Sequence, residues 1–236
     1  MALLTMPAAL AAPTEKAVRF TETHYFTGLN ELTVAKDGVR LVNKGHMRFI
    51  VVSKAPDWKV NVYRDDDKTF FSESLQQFED TGLLSGMLVG KKARFLPKDP
   101  NSRESTFPFC GYNVVRITRR YETFKFLPLT QVLNAAPQVE SIVYAMHKMP
   151  TNGGIPISYI GVHTSKEFMS STDETGSRQE YFDTKRIEPI MVSPHIFDVP
   201  AGYRKAASVR EVVSGSVVRG QSEDLFRSLE RGSQPK

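Results

Sequence analysis

Cysteine is nearly absent from this chain of 236 residues, which contains Cys110 alone. A single cysteine excludes an internal disulfide bond and a zinc site built from the cysteines of one chain. No stretch after residue 12 approaches the ~20 apolar residues that a transmembrane helix needs, and no repeat of fixed period is evident. A disulfide scaffold and a repeat array are therefore excluded, and the length suits one large domain with its own core.

Motifs of common enzymes are also missing. No Gly-x-Ser-x-Gly sequence occurs, which disfavours a serine site of the α/β-hydrolase type. Residues 86–91 are one residue short of a phosphate-binding loop, and Lys92 stands where that loop needs a hydroxyl group. Three adjacent aspartates at 65–67 lack the spaced ligands of a calcium loop. The sequence therefore predicts no catalytic residue, no metal site and no cofactor, and hence a protein that is not an enzyme.

The histidines and the cysteine are predicted to have structural and not catalytic roles. The five histidines are dispersed and are expected at the surface or at strand ends: His24, His46, His147, His163 and His195. Cys110 lies among apolar residues in Phe107-Pro108-Phe109-Cys110-Gly111. Such surroundings tend to raise the pKa of a thiol, so Cys110 is expected to be inert and structural.

The first twelve residues are almost wholly apolar, and Ala9-Leu10-Ala11 has the small-x-small form of a signal-peptidase site. A basic region in front of them is missing. Residues 1–12 are therefore predicted to be the remnant of an export signal, with the mature protein beginning near Ala12. The alternative is a disordered apolar N-terminus on a cytosolic protein.

Positive charge exceeds negative charge by five, and the excess is concentrated between residues 91 and 125. We predict an anionic head-group patch at Arg116, Arg119 and Arg120. Tyr121 and nearby phenylalanines among these cations would also suit nucleic acid. Because the same aromatic residues serve equally well as core, and because export is predicted, nucleic acid is not expected as a partner.

Hydrophobic periodicity predicts mainly β structure. Trp58, Val60 and Val62 alternate with more polar residues, as in a strand with one dry face. Strands are also predicted at 39–42, 47–53, 69–71, 112–126, 141–147, 155–163 and 179–190. Turn-forming residues at 43–45 and 65–67 separate successive strands. Hairpins in series favour an antiparallel meander over alternating strands and helices.

The period changes at residues 72–90, which we call the flap. Ser72 is expected to cap a helix there, and three glycines beyond Thr81 weaken the segment by roughly 1 kcal/mol each relative to alanine. The flap is predicted to be mobile, and the alternative is a buried connector. Short helices are expected near 129–135 and after Ser222, the latter in a tail at 207–236.

Three segments carry a resemblance to a known family. Residues 55–63, the pairing of 142–144 with 154–157, and residues 197–205 are similar in layout to the bacterial LolA-like superfamily, which includes periplasmic lipoprotein carriers and mycobacterial lipid carriers. The resemblance covers about residues 18–205. It implies an unclosed, curved β half-barrel over residues 13–206, whose concave side is plugged by helices and accepts acyl chains, in an exported protein.

From the pattern and the resemblance together we predict a periplasmic, non-catalytic carrier of a lipid or of the acyl part of a lipoprotein, monomeric and able to contact a membrane peripherally. The expected cavity residues are Trp58, Val60, Val62, Ile142, Tyr144, Met146, Ile155, Ile157 and Tyr159, covered by Leu83, Leu84, Met87 and Leu88. The same side chains could instead form a permanently filled core. Two other functions stay open: an envelope sensor or scaffold that recognises a protein partner, and an uncharacterised envelope enzyme.

Overall fold

The computed structural model of the chain describes residues 13–45, 47–83, 93–162 and 178–215. Within these ranges, twelve strands form one sheet. The strands are β1 (Glu15–His24), β2 (Gly28–Ala35), β3 (Gly38–Asn43), β4 (Phe49–Lys54), β5 (Val60–Arg64), β6 (Thr69–Glu73), β7 (Arg103–Phe109), β8 (Tyr112–Thr118), β9 (Glu122–Pro128), β10 (Gly154–Val162), β11 (Arg178–Val192) and β12 (Arg204–Lys205). The helices are α1 (Leu75–Thr81), α2 (Pro137–His147) and α3 (Val209–Ser214), with 3-10 turns at Leu129–Gln131 and Pro194–Phe197.

The sheet consists of two meanders joined along one pair of strands. Its order is β12-β6-β5-β4-β3-β2-β1-β11-β10-β9-β8-β7, so β1 and β11 join the two halves. All neighbours are antiparallel except β12 and β6. In the described part of the chain the edge strands β7 and β12 do not pair with each other. The predicted fold class, a mainly β protein with an unclosed antiparallel sheet and helices beside it, is confirmed.

The main core lies between one face of the sheet and the three helices. A row of cross-strand neighbours runs across five strands on this face, and none of its side chains is more than 1% exposed: Phe20, Leu32, Leu41, Val51 and Val62. Phe78 of α1, Ile142 of α2 and Val212 of α3 are fully buried in the same cluster. A sheet with one apolar face is stable only when another layer covers that face, and here the helices form the layer.

Residues 193–205, which we call the strap, cross the opposite face of the sheet. Phe197 packs on Ala17 and Ala35, and its ring would lie 3.1 Å from a Cβ atom built on Gly38, so small residues make room for it. Asp198 of the strap forms a salt bridge of 2.5 Å with Lys54. The strap ends in β12, which pairs with β6. Part of the segment that carried the family resemblance thus covers the sheet from outside.

The prediction of a strand at residues 141–147 is wrong, because these residues belong to α2. Pro137 stands at the start of this helix, where its missing N–H is not needed. The apolar residues of α2 recur at helical spacing, and Val139, Ile142, Val143 and Met146 are all buried. Because residues 142–146 form a continuous apolar run, the helical period was hidden there, and the β-branched residues favoured a strand.

The predicted strand at 112–126 is also wrong in part. It is a hairpin of β8 and β9, closed by a backbone hydrogen bond of 2.8 Å from Arg119 N to Glu122 O. The sequence also gave no sign of β7, whose residues are mostly exposed and include Pro108. Pro108 has no N–H group and lies opposite Asn113. The backbone N–H and C=O groups of Asn113 form hydrogen bonds with the Gln131 side chain. A proline is tolerated there because β7 is an edge strand.

The flap begins as a helix, but two residues later than expected. Its cap is Ser74, not Ser72: the Ser74 hydroxyl accepts a hydrogen bond from Gln77 N, and Gln77 Oε1 accepts one from Ser74 N at 3.0 Å. This reciprocal pair is a capping box. The rest of the flap from residue 84, and the helix expected after Ser222, lie outside the described residues.

Candidate functional site

Most of the predicted cavity residues lie in the main core. Trp58, Val60 and Val62 are buried beside Ile155 and Ile157, as the alternation predicted. Trp58 precedes β5 and has a positive φ of 51°, so it is not itself a strand residue. Ile142 and Met146 join the same cluster from α2, and Tyr144 of α2 is 8% exposed. The predicted set is therefore largely brought together, but partly by a helix.

Tyr159 belongs to a second cluster and not to the main core. Its ring stacks on Phe124, with ring centroids 4.7 Å apart, and Phe126 and Phe182 belong to the same group. The pairing of β10 with β9 has a bulge between Pro156 and Ser158. Such an extra residue breaks the alternation on which the prediction for Tyr159 depended. Because Phe124 and Phe126 are buried, they are not free to stack on bases.

The predicted cover of the core is described in part. Leu83 follows Gly82, which ends α1 with a φ of 65°, and Leu83 is 5% exposed within the main core. Leu84, Met87 and Leu88 lie outside the described residues. The described beginning of the cover thus packs on the apolar face.

Polar contacts hold α1 against α2. The Lys148 ammonium donates a hydrogen bond of 2.7 Å to the backbone carbonyl of Glu79. The Arg94 guanidinium lies 3.5 Å from the Glu79 carboxylate and forms a bidentate ion pair with Glu140. The Glu140 carboxylate is 3% exposed, and it accepts a further hydrogen bond from the Thr151 hydroxyl. The hydrogen bond with Glu140 raises the pKa of Arg94, so Arg94 stays charged. No local pattern in the sequence indicates this cluster, since its members come from four separate segments.

Two of the dispersed histidines meet in the interior. His24 and His147 stack with ring centroids 5.8 Å apart, and Glu22 Oε1 lies 3.2 Å from His147 Nε2. His24 Nδ1 accepts hydrogen bonds from the backbone N–H groups of Phe26 and Thr27. Burial, helped by the neighbouring His147, lowers the pKa of His24 to about 3. The expectation of surface positions is wrong for this pair, although His24 does end a strand. Within residues 13–45, 47–83, 93–162 and 178–215, no group of three or more ligating side chains could hold a metal ion.

The predicted anionic head-group patch is rearranged. Arg116 projects from β8 and lies 4.4 Å over the Phe107 ring, whereas Arg119 donates to the Pro97 carbonyl and Arg120 lies over Tyr121 in the turn after β8. Lys125 on β9 is the cross-strand neighbour of Arg116, and its ammonium lies 5.8 Å from the Phe107 ring centroid. The structure therefore places Lys125, and not Arg119 or Arg120, beside Arg116.

Cys110 is exposed, contrary to the prediction of a structural thiol in apolar surroundings. It occupies the two-residue turn between β7 and β8, and the turn directs its side chain to the surface although its neighbours in sequence are apolar.

Among the described helices, the longest has 11 residues, so none could cross a bilayer. No protein-family model matches the chain, and no curated protein sequence is significantly similar to it.

Proposed function

We propose that this protein is a non-catalytic carrier that binds a hydrophobic ligand, a lipid or the acyl part of a lipoprotein, between its sheet and its helices. The observation that carries the proposal is the construction of the main core. One face of an unclosed sheet is lined by a continuous apolar row, and separate short helices form its covering layer. Acyl chains entering such a space gain roughly 0.8 kcal/mol for each buried methylene group.

The attachment of α1 supports a cover that can move. α1 has seven residues, and the one it buries fully is Phe78. Its other described ties are Leu75, which is partly buried against the main core, and polar contacts between Glu79 and the side chains of Lys148 and Arg94. The ion pair of Glu79 with Arg94 is partly exposed, at 26% and 29% of the two side chains, and such pairs contribute little net stability. Displacing α1 is thus less costly than displacing α2, whose buried residues span its length.

In this proposal the protein acts outside the cytoplasmic membrane, as the apolar residues 1–12 predict. N-terminal sequencing of the protein recovered from the periplasm of a Gram-negative expression host should give a start near Ala12. Recovery of the uncleaved chain from the cytoplasm alone would contradict export without contradicting ligand binding.

Ligand binding is tested directly by native mass spectrometry of the purified protein, followed by organic extraction. We expect a bound lipid that the extraction releases, and uptake of a fluorescent fatty acid by the delipidated protein. If no lipid is extracted and the delipidated protein takes up no fluorescent fatty acid, the proposal is wrong.

A matched pair of leucine variants tests the role of the flap. Leu84→Asp should weaken uptake of the fluorescent fatty acid while the far-ultraviolet circular dichroism stays strand-like. Leu29→Asp makes the same change at a side chain that is 45% exposed at the start of β2, and it should leave uptake unchanged. Loss of all structure in Leu84→Asp would show that the flap is permanent core and would contradict a movable cover.

A further inference from the structure

The face of the sheet that carries the main core continues into a basic surface on β7, β8 and β9. On these strands, Val114 and Leu127 belong to the main core, and residues two positions apart project to the same face. Arg116 and Lys125 are therefore on the core face, two positions beyond Val114 and Leu127, and both are partly exposed. The residues of the opposite face, among them Ile117 and Phe124, belong to the second cluster.

A single row of polar side chains crosses four strands at this level. The cross-strand partners are Ser105 with Arg116, Arg116 with Lys125, and Lys125 with Ser158. Cross-strand partners on one face have Cβ atoms roughly 5 Å apart. Two cations thus lie side by side between two hydroxyl groups, which we call the cationic row.

No residue in the described ranges balances the charges of the cationic row. Neither Arg116 nor Lys125 forms a salt bridge with any residue in the described ranges. Like charges placed directly opposite each other destabilise a sheet. Stacking on Phe107, at 4.4 Å, holds the Arg116 guanidinium in place, so the repulsion is not avoided by moving Arg116 away.

Ser158 is an independent sign of a missing partner. It is 2% exposed, and its Oγ atom has no hydrogen-bond partner among the residues that the structure describes. A buried hydroxyl without a partner is destabilising by about 1–3 kcal/mol, and most such groups in proteins are satisfied. The unpaired hydroxyl and the unpaired cations occur in the same row, and an anion with several oxygen atoms would satisfy both.

We propose that the cationic row binds the anionic head group, a carboxylate or phosphate, of the ligand whose apolar chain lies on the main core. Arg116 and Lys125 would supply charge-assisted hydrogen bonds, and Ser105 and Ser158 neutral ones. The inference rests on the proposed carrier function and adds the class of ligand, an anionic amphiphile. It also explains why the apolar face is continued by basic side chains on β8 and β9.

The test compares a fluorescent fatty acid with its methyl ester, which has the same chain without the negative charge. At neutral pH the wild-type protein should bind the acid more tightly than the ester. Arg116→Gln/Lys125→Gln should weaken binding of the acid roughly 10- to 100-fold, the effect of losing one or more charge-assisted hydrogen bonds. Binding of the ester should change less than twofold.

Controls separate the possible outcomes. Arg186→Gln removes a cation whose side chain is 70% exposed elsewhere on the sheet, and it should leave the preference for the acid unchanged. Circular dichroism and the urea midpoint report whether the double variant is folded. If it does not fold, Arg116→Lys, which keeps the charge but not the planar donors, should still reduce the preference for the acid.

Three results would overturn the proposal. Equal binding of acid and ester by the wild type, or an unchanged preference in the double variant, would show that the row does not recognise the head group. Displacement of the acid by millimolar inorganic phosphate would show a site for a free anion and not for an amphiphile. Failure of the wild type to bind either probe would instead contradict the carrier function itself.

Discussion

Glu22 on β1 lies against His147 at the end of α2, with 3.2 Å between Glu22 Oε1 and His147 Nε2, and both side chains are buried. No described residue supplies a hydrogen bond to either oxygen of Glu22. The pair therefore connects the sheet to α2 through two buried polar groups, and each is the polar neighbour that offsets the burial of the other.

Removing one member of this pair should destabilise the protein more than removing both. His147→Leu leaves the Glu22 carboxyl group buried without its partner, and we expect a loss of about 3–5 kcal/mol in the free energy of unfolding. Glu22→Leu/His147→Leu should lose less than His147→Leu alone. Urea unfolding of the two single variants and the double variant measures the coupling. Additive losses would show that the two side chains do not stabilise each other.

His24 makes the stability depend on pH. Its pKa is lowered from 6.5 to about 3 on folding, so between these values the unfolded chain binds a proton that the folded chain does not. Stability from this site is therefore complete above pH 6.5 and is lost as pH falls, by up to about 1.4 kcal/mol per pH unit. Urea unfolding at pH 7.5, 6 and 5 should show this decrease in the wild type.

The matched variants for this prediction are two histidine-to-asparagine changes. His24→Asn keeps an acceptor for the N–H groups of Phe26 and Thr27 but cannot take up a proton, so the decrease below pH 6.5 should become smaller. His195→Asn removes a histidine whose side chain is 82% exposed and should leave the decrease unchanged. Identical pH dependence in His24→Asn and the wild type would refute the assignment to His24.

The strap should be sensitive to side-chain size beneath Phe197. A Cβ atom on Gly38 would lie 3.1 Å from the Phe197 ring, so the larger side chain of Gly38→Val should push the ring away and destabilise the protein by about 1–3 kcal/mol. Phe197→Ala should lose about 3–5 kcal/mol. In the Phe197→Ala background, Gly38→Val should be nearly neutral. A full additional loss in the double variant, measured by urea unfolding, would contradict this packing.

The turn between β7 and β8 can be improved. Cys110 and Gly111 have φ values of 50° and 83°, as in a type I′ turn, for which Asn-Gly is the favoured sequence. Cys110→Asn should therefore stabilise the protein by up to about 1 kcal/mol, because asparagine tolerates this conformation better than cysteine. Cys110→Val, with a β-branched side chain, should destabilise it. A lower urea midpoint for Cys110→Asn would show that another conformation is populated.

Local patterns predicted the strands that have one apolar and one polar face. The turns at 43–45 and 65–67 and the alternation of Val60 and Val62 follow from short-range physics, so β3 to β6 were recovered with small errors in their ends. A continuous apolar run such as residues 142–146 carries no such pattern, and α2 was therefore taken for a strand. The edge strand β7 is mostly exposed, and in it Phe107 and Phe109 alone pack on the main core, so it was missed.

The sites depended on partners that are distant in sequence. No local sequence pattern indicates the cluster of Glu22, His24 and His147. These residues become neighbours only when α2 packs on the sheet beside β1. Arg94 and Glu140 meet for the same reason. The basic segment was recognised from its composition. That Lys125 lies beside Arg116 on one face of the sheet is set by the alternation of side chains along β8 and β9 and by the register of their hairpin.

By itself, the sequence determined the class of fold, because alternating apolar residues and turn-forming residues act over a few positions along the chain. The tertiary structure alone decided which side chains share the interior and which cations lie together. It also decided that the Ser158 and Glu22 side chains find no hydrogen-bond partner among the described residues. Those relationships arise from strand register and helix packing, and both depend on contacts between residues far apart in the chain.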